Sequence, residues 1–280
     1  MNRSHQMPFG TQVDAQGRTR FRLWAPSARH VTLKTRSRGG AAREIALRAL
    51  DEGWYETTLA DVEPGAHYKF GIDGELDVPD PASRFNPLGV HEHSIIVDPQ
   101  AFEWRDEGWQ GHEWHELVIY ELHVGAFTRE GTYSALAARL DDLVELGINT
   151  LELLPLASFA GARGWGYDGV LPYAPHPAYG TPDELKQLVQ AAHGPKLSVL
   201  LDVVYNHFGP DGNYLSRYAR DFFTSRHCTP WGDAIDFSNP TVRQFFIQNT
   251  LYWLNEFHFD GVRIDAVHAM YDDGPRHFID

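Results

Sequence analysis

The spacing of apolar residues changes character once along this chain, near residue 105. Before it, short runs alternate apolar with polar: Phe21 and Leu23, then Val31 and Leu33, then Tyr68, Phe70 and Ile72. Alternation of period two marks half-buried strands. The last run stops at Asp73-Gly74, a tight-turn pair. Strands this short, separated by turn residues, predict an antiparallel β-sandwich of roughly 100 residues. Asp80-Pro81 through Asn86-Pro87-Leu88-Gly89 reads as a Pro-rich loop.

From residue 117 strands and helices alternate. Val118–Val124 predicts a strand. Thr132 can cap a helix whose face is Leu136, Leu140 and Leu143, with Gly147 as its stop. Thr150–Leu156 is the next strand. Thr181-Pro182-Asp183-Glu184 is a capping box with Pro at the first helical position. It opens a helix with Leu185, Leu188, Val189 and Ala192 on one face. Gly194 should close that helix, with His193 as an exposed residue beside the stop. Leu197–Val204 is almost wholly apolar, as a strand covered on both faces should be. Asn239-Pro240 starts a helix through Val242, Phe245, Phe246, Trp253 and Phe257, and Asp260-Gly261 leads into a strand over Val262–Asp265.

Strands alternating with helices mean a parallel sheet. Polar residues gather at the C-terminal strand ends: Glu121 and His123, Asp202 with Asn206 and His207, and Arg263 with Asp265. Sites at C-terminal strand ends are typical of the (β/α)8 barrel. A Rossmann-type sheet would need a Gly-rich phosphate loop, and none follows these strands. A full barrel takes about 250 residues, so the remaining length accommodates about four βα units. The predicted organisation is a sandwich over 1–105, a linker over 106–116, and the first half of a barrel over 117–280.

Composition narrows the partners. The 280 residues carry 24 Lys+Arg against 38 Asp+Glu, a formal net charge of -14. Such acidity disfavours nucleic acid. No apolar run approaches a membrane span, and the N-terminus lacks a signal core. Cys228 stands alone, which fits a reducing compartment. A cytoplasmic protein is expected. Aromatic residues reach 13%, with 8 Trp and 12 Tyr, enough to supply flat rings for apolar sugar faces as well as ordinary core.

Three motifs carry candidate chemistry. In Asp202-Val-Val-Tyr-Asn206-His207, polar residues close a buried strand, where they need hydrogen-bond partners. In Gly261-Val-Arg263-Ile-Asp265-Ala-Val-His268, Arg263 and Asp265 are two apart and point to one side of a strand. A neighbouring Arg favours the ionised carboxylate, as a glycosidase nucleophile requires. A structural ion pair is the alternative. In Gly164-Trp165-Gly166-Tyr167-Asp168-Gly169, glycines present two rings. Tyr167 is the stronger stacking candidate, and Trp165 reads more as an anchor in the core. No close His ligand set, Gly-x-Ser-x-Gly elbow or Cys-base pair is present.

Together these motifs resemble the α-amylase superfamily of retaining α-glucan enzymes. The stretches RFRLWAP, VPDPASRF, IYELHVGAFTREGTY, GWGYDGVLPYAPHPAYGTPDEL and DVVYNHFGPDGNYL are similar to its trehalohydrolase family. The resemblance implies hydrolysis of the α-1,4 bond next to the trehalosyl end of malto-oligosyltrehalose. It implies Asp265 as nucleophile, Arg263 orienting it, His207 and Tyr167 on the sugar at the cleavage point, and His268 toward the leaving group. Asp202 and Asn206 match structural motif positions. Some family members use the position of Asn206 for calcium; here no metal and no cofactor are expected. The family's general acid, a Glu after the fifth barrel strand, has no counterpart. Past Asp265 there are Asp272, Asp273 and Asp280 but no Glu, and the last Glu is Glu256. The chain therefore resembles the N-terminal part of such an enzyme, expected to be inactive alone and open at its unpaired edges. A glycogen-branching or debranching relative and a non-catalytic glucan-binding fragment remain alternatives.

Overall fold

The computed structural model describes residues 5–36 and 40–280. In the N-terminal part, alternation in sequence becomes alternation in burial. Strand β2 (Thr19–Trp24) buries Phe21 and Leu23 and half-exposes the residues between them. It lies between β1 (Gly10–Val13) and β6 (Trp54–Leu59), with β5 (Arg48–Ala49) beyond. The facing sheet runs β4 (Ala42–Ala46), β3 (Val31–Arg36), β7 (His67–Ile72), β8 (Leu76–Val78), and the short β9 (Ser94–Ile95) also pairs with β7. All these pairings are antiparallel, with Leu33 opposite Phe70. Asp73 and Gly74 both take positive φ, as the predicted turn needs.

The second part is built on four parallel strands in the order β10 (Ile119–Leu122), β11 (Thr150–Leu153), β14 (Ser198–Val203), β17 (Gly261–Ile264). Leu122 pairs with Leu153, Leu153 with Leu201, and Leu201 with Val262. The sheet is therefore a half barrel, and Val118 and Ile119 are exposed at its β10 edge.

After β10 come α1 (Val124–Phe127), α2 (Tyr133–Ala137) and α3 (Leu140–Glu145). The single helix predicted here is thus broken at Arg139, whose φ/ψ of -113/7 leaves the helical region; Leu136, Leu140 and Leu143 still share the buried face. Helix α4 (Pro182–His193) starts at the predicted capping box, with both reciprocal bonds between Thr181 and Glu184 formed. Gly194 stays right-handed; the left-handed residue of the following turn is Lys196. The chain then continues through α5 (Leu215–Tyr218), and α6 (Pro240–Glu256) is capped by Asn239, which accepts from the Thr241 amide.

Two hairpins escaped the periodicity. One joins β12 (Ala157–Ser158) to β13 (Leu171–Pro175), and the other joins β15 (Phe223–Thr229) to β16 (Gly232–Ile235).

The expected linker is packed rather than loose. Asp106 accepts from both His193 and His258, at 2.9 and 2.8 Å. Trp109 stacks on His193 and donates to Asp260 at 2.7 Å, while Trp104 stacks on His258. His193 is therefore a buried member of this clasp, not an exposed cap residue. The clasp lies at the N-terminal ends of the strands, opposite the polar cluster. No described helix is long and apolar enough to cross a membrane.

Candidate active site

The parallel register places Asp202 of β14 directly opposite Arg263 of β17. Arg263 Nη1 donates to Asp202 Oδ2 at 2.8 Å and to Asp265 Oδ1 at 2.7 Å. One guanidinium thus bridges two carboxylates, a geometry compatible with a nucleophile-orienting pair and with a structural one. Asp202 is fully buried, whereas Asp265 stays partly open. Burial pushes the Asp202 carboxyl up, against the donors Arg263 and Tyr167. Burial also works against the charge on Arg263, but its two carboxylates outweigh this and hold it firmly protonated.

Asp265 ends the ladder, its amide donating to Val203 at 2.9 Å. The next residue, Ala266, is left-handed at φ 44, so the chain turns away sharply and leaves the carboxylate at the strand end. His268 lies in the exposed turn that follows. It does not join the Arg263 network among the described residues.

The loop after β11 crosses the C-terminal ends of three strands and is pinned at two points. His123, following β10, donates from Nε2 to the Gly164 carbonyl at 2.9 Å. His207, following β14, donates from Nε2 to the Tyr167 carbonyl at 2.8 Å. Between them Gly166 has φ +97, and a Cβ there would stand 2.2 Å from the Pro155 oxygen. Only glycine fits.

Tyr167 is half-buried, and its hydroxyl donates to Asp202 Oδ2 at 2.9 Å. Burial, and then this bond, raise its pKa. Trp165 is 69% exposed, so the expectation of a core anchor is overturned. The bend at Gly166 and the pinned Gly164 carbonyl turn the indole outward.

His207 is buried, and burial lowers its pKa. The Trp231 ring stacks on it at 4.0 Å with planes 12° apart. Trp231 sits in the turn of the β15–β16 hairpin and lines a cleft of about 460 Å³ with His207, Asp168 and Asn213. Sequence reasoning missed it; the turn residues Pro230 and Gly232 on either side were the available signal. Asn206 is buried with both side-chain polar atoms lacking a protein partner.

Glu121, Glu152 and Asp202 each bring one oxygen to within 4.8 Å of the others. All-oxygen donors would suit a hard cation, but Arg263 already supplies positive charge to Asp202. Burial, then Glu121 and Asp202, raise the Glu152 carboxyl. Three further acids have structural partners. Glu256 is buried against Arg84, Asp272 pairs with Arg243, and Asp273 pairs with His227 and Arg226.

The arrangement offers a partly open carboxylate, Asp265, oriented by a guanidinium beside a half-buried tyrosine and a histidine–tryptophan stack, with the exposed Glu121 and the half-buried Glu152 next to its partner Asp202. That suits attack on a polar, ring-shaped substrate.

Comparison with known proteins bears on the two-part architecture. Residues 8–101 match carbohydrate-binding module 48, the isoamylase N-terminal domain, and residues 99–231 match the alpha amylase catalytic domain. Malto-oligosyltrehalose trehalohydrolase of Saccharolobus solfataricus is 45% identical over 277 residues, which is 98% of this chain and 48% of that protein. The protein of the same name from Deinococcus radiodurans is 47% identical over 261 residues, covering 93% of this chain and 42% of its own length. A crystal structure from Salmonella typhimurium, described as a candidate alpha amylase, superposes with a TM-score of 0.92 at 46% identity over 97% of this chain and 46% of that one. The chain thus spans about half the length of the curated relatives it matches.

Proposed function

We infer the function from a family premise: the chain belongs to the α-amylase superfamily, with the N-terminal module and half barrel of its trehalohydrolase relatives. The reading is a cytoplasmic retaining glycosidase that acts on malto-oligosyltrehalose and releases trehalose. Asp265 attacks the anomeric carbon as Arg263 holds its carboxylate in line; the bond from that carbon to the leaving oxygen breaks, and the oxygen takes a proton from a general acid supplied from outside these 280 residues. Tyr167 and His207 grip the sugar at the cleavage point, and His268 lies toward the leaving group. Asp202 and Asn206 support the site from beneath. Water then hydrolyses the glycosyl-enzyme.

The observation that carries the reading is the single guanidinium shared by Asp202 and Asp265 at the C-terminal end of the sheet. A retaining mechanism also needs an acid about 5–5.5 Å from the nucleophile. Glu256, Asp272 and Asp273 are held in ion pairs, which supports a second part of the proposal: these 280 residues alone bind glucan without cleaving it.

Asp265→Asn tests the assignment in a form extended to the length of the relatives. Trehalose release should fall to background while the melting temperature and oligosaccharide binding stay near wild type. Near-normal release by the variant would remove Asp265 from the mechanism. Trehalose release by the 280 residues alone, as a purified monomer, would remove the need for a further acid.

A further inference from the structure

We propose that the cleft bounded by Trp165, His123 and Tyr179 is a second sugar subsite, holding a glucose ring of the same α-glucan chain that passes Tyr167. The inference rests on the glucan reading of the Asp265 site and extends it to a surface beyond the Asp265–Arg263–Asp202 network.

The cleft has a volume of about 610 Å³ and includes Gly125, Arg129 and Arg163 in its lining. Its most exposed aromatic is Trp165, at 69%. An indole this open forgoes burial of a large apolar surface. A mobile loop could leave a tryptophan outside by default, but this loop is pinned. His123 holds the Gly164 carbonyl and His207 holds the Tyr167 carbonyl. A Cβ at Gly164 would press on the Phe159 ring at 3.0 Å, and that ring is stacked on His176. The backbone therefore presents the indole at a set position.

The floor of the cleft is also built. The His123 ring meets Trp165 edge-on at 5.7 Å and Tyr179 edge-on at 5.7 Å. A Cβ at Gly125 would stand 2.9 Å from Tyr179, so the α1 backbone lies directly against that ring. Around this aromatic floor stand the exposed side chains of Arg129, Glu130 and Arg163.

A pyranose ring has an apolar C–H face and a rim of hydroxyls that both donate and accept. Flat apolar surface bordered by acid and guanidinium groups complements it. A simple anion would use the arginines but not the indole or Glu130. Trp165 and Tyr167 are two residues apart, so their backbones lie within about 7 Å. That spacing suits neighbouring rings of one oligosaccharide better than two separate ligands.

The test labels the 280-residue chain with 5-fluorotryptophan and follows its fluorine NMR signals during titration with maltohexaose. Trp165→Phe and Trp231→Phe identify the two signals. Trp231 stacks on His207 and reports the Asp265 site; Trp165 reports the proposed subsite. Both signals should move saturably with one dissociation constant. Trp165→Ala should weaken binding, read at Trp231, by about 5- to 150-fold, the range for loss of one aromatic stack. Trp165→Phe, which keeps a ring, should weaken it less. Movement at Trp231 with none at Trp165 would overturn the subsite and leave the glucan reading standing. No movement at either would overturn both.

Discussion

At the scale of single residues, Asp202 is the hub. It receives Tyr167 and Arg263 on the same carboxylate oxygen, and through Arg263 it fixes Asp265. Tyr167 therefore holds Asp202 through its hydroxyl in addition to the sugar contact proposed for its ring. Tyr167→Phe keeps the stacking face but removes a donor from a buried carboxylate, at a cost of about 1–2 kcal/mol. Urea unfolding of the 280-residue chain should show this loss. Maltohexaose affinity should fall less for Phe than for Ala. A Phe variant as stable as wild type would mean the hydroxyl contributes nothing to Asp202.

At the scale of elements, the pinned loop decides where both rings go. Gly166→Ala meets the Pro155 oxygen as well as an unfavourable φ of +97. Gly161, at φ +87, has nothing within 4 Å of its hypothetical Cβ. Gly161→Ala should thus cost only backbone strain, about 1 kcal/mol. Gly166→Ala should cost clearly more and also abolish detectable maltohexaose binding. Melting temperatures and the same titration compare the two directly. Equal effects would mean the close approach to Pro155 is unimportant. The helices are governed by more local chemistry. The Thr181–Glu184 box starts α4 as predicted because both partners lie within one turn. The break at Arg139 was not legible, since the apolar spacing on either side is compatible with one continuous helix.

At the scale of the whole molecule, the sandwich and the half barrel are joined by a buried ion pair. Arg84 binds Glu256 of α6 through Nε and Nη2 at 3.0 Å and also donates to the Thr11 carbonyl. Glu256→Gln leaves a buried guanidinium without its counter-charge and should destabilise the chain by about 3–5 kcal/mol, read as a lower urea midpoint. A change below 1 kcal/mol would show that the pair is not needed to join the parts. Nearby Asp80 is buried and accepts from Tyr68 at 2.7 Å and from the Ala82 amide at 2.9 Å. Burial raises its pKa to about 6. Because the folded state holds this proton more tightly than the unfolded chain, stability from this group is fully present below about pH 4 and is lost as pH rises through about 6. Asp80→Asn cannot lose that proton. The wild-type midpoint should therefore drop more than the variant's between pH 5 and pH 7, and parallel midpoints would count against a protonated Asp80.

Much of the design was legible from residue spacing alone. Period-two runs located the sandwich strands, and apolar runs between helical stretches located the parallel strands. The two-residue spacing of Arg263 and Asp265 put them on one side of β17. These are local properties, set by backbone geometry within a few residues. What spacing could not supply was partnership. That Arg263 faces Asp202 depends on the register between β14 and β17. That Trp231 covers His207 depends on a hairpin whose register shifts between Thr224 and Cys228, which hides its alternation. That His193 and Glu256 are buried with charged partners, and that Trp165 is exposed, depends on which surfaces meet across long stretches of chain; Arg84 and Glu256 are 172 positions apart. Side-chain periodicity records which face an element buries. Only the tertiary structure decides what that face is buried against, because a contact between distant segments leaves no period in either one.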